Sequence, residues 1–198
     1  MLNLHPPFRR ATAADARAIA EMIDMAGKSI PTLLWADEAA EGETPLDVGA
    51  RLVARSGYSL SFENAVVGEE GGQITSLLLG CVDNTDATDL ADAPEIVRPL
   101  IRLHRQAPRR WHVHALAVRP EYRRQGLGTR LLRIADALAF EDGLTETSLT
   151  VAEANEPARL LYDREGYREV AREPVAAHPR LNIRGNWLLM MRPVVANF

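Results

Sequence analysis

The sequence predicts an α/β domain built on a mixed, partly antiparallel sheet. Three observations carry this. Apolar residues switch between helical and strand spacing along the chain. Two strand-like segments in the first half, residues 61–67 and 73–79, flank a turn running from Gly68 to Gly72 and read as a hairpin. The second half alternates strand, helix, strand, helix, strand, the order of a sheet with helical crossovers.

Each element has its own signal. Thr12-Ala-Ala-Asp15 has the form of a capping box, and Ala16, Ile19, Ala20, Met22 and Ile23 follow at helical spacing, so a helix is expected over 13–26, ended by Gly27. Residues 28–45 read as a loop or broken helix with Pro31, Trp35 and the carboxylates Asp37, Glu38, Glu41 and Glu43. A short helix over 45–55 precedes the hairpin. Residues 83–93 are acidic and polar and read as a loop, and 94–106 as a helix starting at Pro94. A strand over 111–118, a helix over 126–140 and a strand over 147–152 come next. The segment 155–165 suits a short helix: Asn155 can cap it, Pro157 fits its first turn and Gly166 can close it. Strands at 167–172 and 186–192 complete the chain. With no repeat and no low-complexity tract, the expected organisation is a single domain over 1–198, with 83–105 as an insertion and 174–185 as a loop.

Composition narrows the function classes. Apolar residues make up 46% and charged residues 25%, the balance of a soluble globular protein. No apolar run reaches the ~20 residues that span a bilayer, so no membrane partner is expected. The segment from Met1 to Arg10 lacks a charged-then-apolar signal pattern. Cys81 is the single cysteine, which excludes an internal disulfide and a cysteine-based zinc site and makes a reducing cytoplasm the default compartment. The net charge of −4 divides unevenly: residues 1–100 hold 7 basic and 16 acidic side chains, and residues 101–198 hold 16 and 11. The acidic balance argues against a nucleic-acid partner.

The most informative stretch runs from Leu116 to Leu132. A strand ends at Val118, a basic turn with Arg123, Arg124, Gly126 and Gly128 follows, and a helix opens directly from it. Glycines let backbone N–H groups approach a ligand, and a helix N-terminus adds unpaired donors and a positive dipole end, so the turn suits an anion such as a pyrophosphate. A Walker loop would need a lysine before Thr129, and a dinucleotide fingerprint a glycine at Leu131. The pattern Arg123-x-x-Gly126-x-Gly128 after Leu-Ala-Val instead resembles the acyl-coenzyme A loop of the GNAT N-acetyltransferase superfamily. Downstream, Asn155, Tyr162 and Gly166-Tyr167 match that superfamily's second signature.

The resemblance implies a GNAT-like mixed sheet flanked by helices, in which acyl-CoA lies between two splayed parallel strands. It implies acetyl-CoA as acyl donor and no metal. By the same resemblance, the backbone of Leu116, Ala117 and Val118 pairs with the pantetheine arm. Arg123, Arg124, Gln125, Gly126, Leu127, Gly128 and Thr129 hold the pyrophosphate, and Asn155 contacts the pantetheine. Tyr162 gives a proton to the leaving thiolate. Homodimers are common in the superfamily.

For the base, His112-Val-His114 stands on the strand at 111–118, and residues i and i+2 of a strand face one side. From the residues alone the pair fits a base, a structural group or half a metal site, although Cys81 and His104 complete no ligand spacing. The run His-x-His-Ala-Leu-Ala-Val resembles the arylalkylamine acetyltransferase branch, which implies a base or proton relay. Some peptide-directed members carry a Glu where this chain has Thr150, which weakens a peptide acceptor. Trp35 and Glu38 suit a cationic or aromatic amine through cation–π contact and charge. The expected activity is N-acetylation of a small-molecule primary amine by direct attack in a ternary complex. A non-catalytic acyl-CoA-binding module and a peptide or protein N-acetyltransferase are the alternatives.

Overall fold

The computed structural model describes residues 2–82, 90–107 and 109–195. The chain packs as two units, Met1–Gly80 with His114–Leu131, and Cys81–Val113 with Leu132–Phe198. Strand β4 (Trp111–Val118) and helix α5 (Leu127–Glu141) each contribute to both.

In the first unit, β1 (Phe8–Arg10), β2 (Ala65–Glu70) and β3 (Gln73–Val82) run in that order, followed by β4. Both β1/β2 and β2/β3 are antiparallel, and the β2–β3 turn is the expected hairpin. Its start differs from expectation. Residues 62–64 form a 3₁₀ turn because the Ser61 hydroxyl accepts from the Glu63 N–H, so β2 begins at Ala65. The helix expected over 13–26 is a 3₁₀ turn, Ala13–Asp15, followed by α1 (Ala16–Ala26). Asp15 returns to the Thr12 N–H at 2.8 Å and takes both terminal nitrogens of Arg9. That guanidinium holds the Asp15 carboxyl down at about 2.

The segment expected as a loop or broken helix contains α2 (Ile30–Asp37), and α3 (Pro45–Val53) follows under a Thr44/Asp47 capping box. The buried faces of α1 and α3 join Ala65, Val67, Leu77, Leu79, Ala115 and Ala117 in one core. Trp35 belongs to it. A Cβ at position 49 would lie 2.6 Å from the Trp35 ring, so α3 carries glycine where the indole crosses it.

The second unit orders its strands β4, β5 (Glu146–Ala152), β7 (Asn186–Pro193), β6 (Arg168–Pro174). The β4/β5 pair is parallel, and its ladder covers three residue pairs, Trp111–Val113 with Thr147–Leu149. The β5/β7 and β6/β7 pairs are antiparallel. The helix expected over 94–106 is a 3₁₀ turn, Glu95–Val97, and then α4 (Arg98–His104), with Pro99 in its first turn. Helix α6 (Glu156–Arg164) follows β5, and residues 175–185 carry neither helix nor strand. Of the expected insertion at 83–105, residues 83–89 lie outside the described residues. Among the described residues no helix is long and apolar enough to cross a membrane.

Candidate functional site

In the first unit the basic turn leaves β4 through two braces. Arg119 donates from Nε to the Ile74 carbonyl at 2.7 Å and pairs with Glu21 at 2.9 Å. Arg123 donates from Nε to the Val118 carbonyl at 3.0 Å, with its Nη2 3.7 Å from the Met25 sulfur. The Val118 carbonyl, expected for the pantetheine, therefore already has a donor. Beyond these braces the chain takes left-handed backbone at Arg124 (φ 64°) and Gly126 (φ 78°) and enters α5 at Leu127. Among the described residues, no backbone N–H from 124 to 128 donates a hydrogen bond. Residues 123–126 are exposed, and Arg124 makes no ion pair among the described residues. Unpaired N–H groups, a helix N-terminus and a guanidinium without an ion pair are a combination that suits an anion.

In the second unit Tyr162 lies on α6. Gly166 (φ 91°) ends that helix with a bond from the Tyr167 N–H to the Tyr162 carbonyl at 3.0 Å and one from the Gly166 N–H to Asp163. This turn brings the two phenols edge to face, with centroids 5.8 Å apart. Tyr162 is buried, its hydroxyl has no hydrogen-bond partner among the described residues, and burial pushes its pKa above the ordinary phenol value. Tyr167 is fully buried. Its hydroxyl lies 2.9 Å from Thr147 Oγ1, and Arg192 lies 4.7 Å over its ring.

Arg192 pairs with Asp136 at 2.7 Å and donates to the carbonyls of Glu165 and Leu132. Burial pushes the Asp136 carboxyl up to about 6, against the pull of Arg192. The sequence reading missed this buried pair. Its signal was present: Arg192 has the strand parity of Leu188 and Met190, which are buried.

Asn155 precedes α6 half-buried, and its side chain makes no cap hydrogen bond, contrary to its expected capping role.

The histidines separate. His112 is 2% exposed, its Nδ1 lies 2.9 Å from Ser148 Oγ, and its ring lies 4.1 Å from that of His104. It is a packed, bonded side chain. His114 is half-buried. Burial holds His104 down at about 4, so it is neutral in the middle pH range.

Trp35 is 7% exposed and packs in the core of the first unit. Glu38 is exposed just beyond α2. Glu43 is bound to Arg51 at 3.1 Å. Among the described residues no three His, Cys, Asp or Glu side chains are grouped to share a metal ion.

A family model described as Acetyltransferase (GNAT) family matches residues 41–167. Solved structures with the same fold include an acetyltransferase at 20% identity and TM-score 0.66, covering 95% of this chain and 99% of that one. A mosquito arylalkylamine N-acetyltransferase like 5b aligns at 18% identity and TM-score 0.67, covering 94% and 98%. A Drosophila melanogaster polyamine N-acetyltransferase aligns at 16% and 0.65, again covering 94% and 98%. No curated protein matches the sequence.

Proposed function

The chain belongs to the GNAT acetyltransferase family, and on that premise we propose that it moves the acetyl group of acetyl-CoA to the primary amine of a small molecule, by direct attack in a ternary complex. The observation that carries this reading is the run of N–H groups at 124–128 without acceptors, set at the start of α5 beside Arg124. Such a cradle fits the two phosphoryl groups of a coenzyme A pyrophosphate. In this reading the amides of Arg124, Gln125, Gly126, Leu127, Gly128 and Thr129 hold the pyrophosphate. Arg123 positions the turn from Val118, the backbone of Leu116 and Ala117 takes the pantetheine arm, and Asn155 offers its uncapped amide to it.

The amine nitrogen attacks the thioester carbonyl carbon, the C–S bond breaks, and the sulfur leaves with the bonding pair. Tyr162 supplies the hydrogen bond, and then the proton, to that sulfur. A raised phenol pKa keeps the hydroxyl protonated at neutral pH, and an unpaired hydroxyl has its donor available. The raised pKa also makes full transfer to a thiolate uphill, so Tyr162 acts first as a hydrogen-bond donor to developing negative charge. The substrate ammonium first loses a proton to solvent, the neutral amine attacks, its second proton passes to His114 as the C–S bond breaks, and solvent then takes the proton from His114 and returns one to Tyr162. Exposed Glu38 favours a cationic amine by charge. The compartment is the cytoplasm.

The reading is tested by titrating the protein with acetyl-CoA and following free thiol and N-acetyl product over a panel of small amines, with N-terminal peptides as a second arm. Thiol release matched by acetylated small amine is expected. Release with the peptides alone would move the acceptor class to peptides. Binding with no release on any acceptor would leave a CoA-binding module.

A further inference from the structure

Three polar pairs meet the face of the second unit's sheet that carries His112. On this face β5 presents Ser148, Thr150 and Ala152, because alternate residues of a strand share a side. Direct partners across β5/β7 also share a side, so Leu189 and Trp187 stand opposite Thr150 and Ala152. Glu173 stands opposite Trp187 across β6/β7. Ser148 is bonded to His112, and Glu173 to Arg102 at 2.8 Å. The third pair has no partner. Thr150 Oγ1 and Trp187 Nε1 are both buried, and neither has a hydrogen bond. Trp187 is 6% exposed.

Thr150 and Trp187 are diagonal neighbours on the β5/β7 ladder. Such neighbours lie roughly 7–8 Å apart at the backbone, within reach of an indole. A buried donor without an acceptor is unfavourable, so each of the two calls for a partner such as a water or a ligand oxygen. Four other buried atoms have no hydrogen bond among the described residues, Ser76 Oγ, Arg110 Nε, Asp136 Oδ1 and Arg192 Nε, and the last two belong to side chains already joined to each other.

We infer that Thr150 and Trp187 form a polar subsite for the acceptor, holding a neutral carbonyl oxygen carried by the same molecule as the reacting amine. The indole can only donate and the hydroxyl can donate with it, so the complementary group is an oxygen with two lone pairs. Arg102 is committed to Glu173, so among the charged pairs on this face none is left to neutralise a carboxylate. An amide or ester carbonyl fits, and the substrate class becomes an amino amide or amino ester rather than a plain alkylamine. This inference rests on the acetyltransferase reading above.

Two measurements separate it from that reading. The first compares kcat/KM for β-alaninamide and for isopentylamine, which has the same number of heavy atoms, in the native protein, Thr150→Val and Trp187→Phe. The ratio of amide to alkylamine is expected to fall about ten-fold in each variant, and comparison between proteins cancels the amines' own basicity. A ratio unchanged in both variants overturns the inference while leaving acetyl transfer intact. The second follows the indole ¹H–¹⁵N resonance of Trp187, assigned by its loss in Trp187→Phe. It is expected to shift on adding β-alaninamide to the CoA-loaded native protein and to stay in place with isopentylamine. No shift with the amide overturns the inference whatever the turnover. A shift without thiol release would support the subsite and break the acetyltransferase reading instead.

Discussion

The glycine turn of the first unit and the tyrosine pair of the second are built from different materials. The turn uses main-chain donors, exposed and held in shape by left-handed residues at 124 and 126, with Arg119 and Arg123 as struts behind it. The tyrosine pair uses side chains, buried and fixed by Arg192, Thr147 and the helix-ending bond at Gly166. The first arrangement offers main-chain donors, so its proposed binding depends little on most of its side chains. The second rests on buried side chains packed against one another. Binding and chemistry should therefore be separable by mutation.

The largest effect is expected at the buried pair. Arg192→Met leaves the Asp136 carboxylate unpaired in a site where the two side chains are 4% and 2% exposed. The expected loss is about 3–5 kcal/mol of unfolding free energy, measured by urea titration. Because burial already pushes Asp136 up to about 6, the loss should be smaller at pH 5, where the carboxyl is protonated, than at pH 8. Equal losses at both would show that the packing of Arg192 matters and its charge does not.

A smaller effect is expected in the turn. At Gly126 a Cβ would meet nothing within 4 Å, so Gly126→Ala is opposed by its left-handed φ alone. The strain is about 1–2 kcal/mol. Acetyl-CoA affinity, read by calorimetry, should weaken about ten-fold as the N–H groups turn away. An unchanged affinity would remove the turn from the donor site.

The smallest is a pH effect. His104 is held at about 4 in the fold against an ordinary value of 6.5, so its contribution to stability is complete above pH 6.5 and is lost as pH falls toward 4. From pH 7 to pH 5 this amounts to about 1–2 kcal/mol. His104→Gln should lose correspondingly less stability over that interval, measured by Tm. Identical losses would contradict the assignment.

How far the sequence could be read follows the same division. The turn was legible because its signal is local: glycines and arginines at fixed spacing between a strand and a helix. Strand β4 over 111–118 and the helix after Asn155 were legible for the same reason. Helix α2 was not, because Pro31 and the run of carboxylates after it look like a loop, while the packing of Trp35 on Gly49 depends on a helix 14 residues further along the chain. The small strand β1 exists because Phe8–Arg10 lies beside β2, a pairing nearly 60 residues away in sequence. His112 and His114 looked alike because strand parity is blind to depth; His112 is buried against the His104 ring and the Ser148 hydroxyl, and His114 is half-buried. The side-chain site at Tyr162 was half legible: its motif named the residue, whereas Arg192 and Asp136 are 56 residues apart and share no motif.

The most direct test of the division between binding and chemistry is Tyr162→Phe, with acetyl-CoA affinity and kcat for the best amine measured on the same preparation. Removing one oxygen from a hydroxyl that bonds to no described residue should leave the fold and the acetyl-CoA Kd within about two-fold. The same change should lower kcat by about a hundred-fold. A variant that turns over at the native rate would contradict the assignment of Tyr162 to the leaving sulfur.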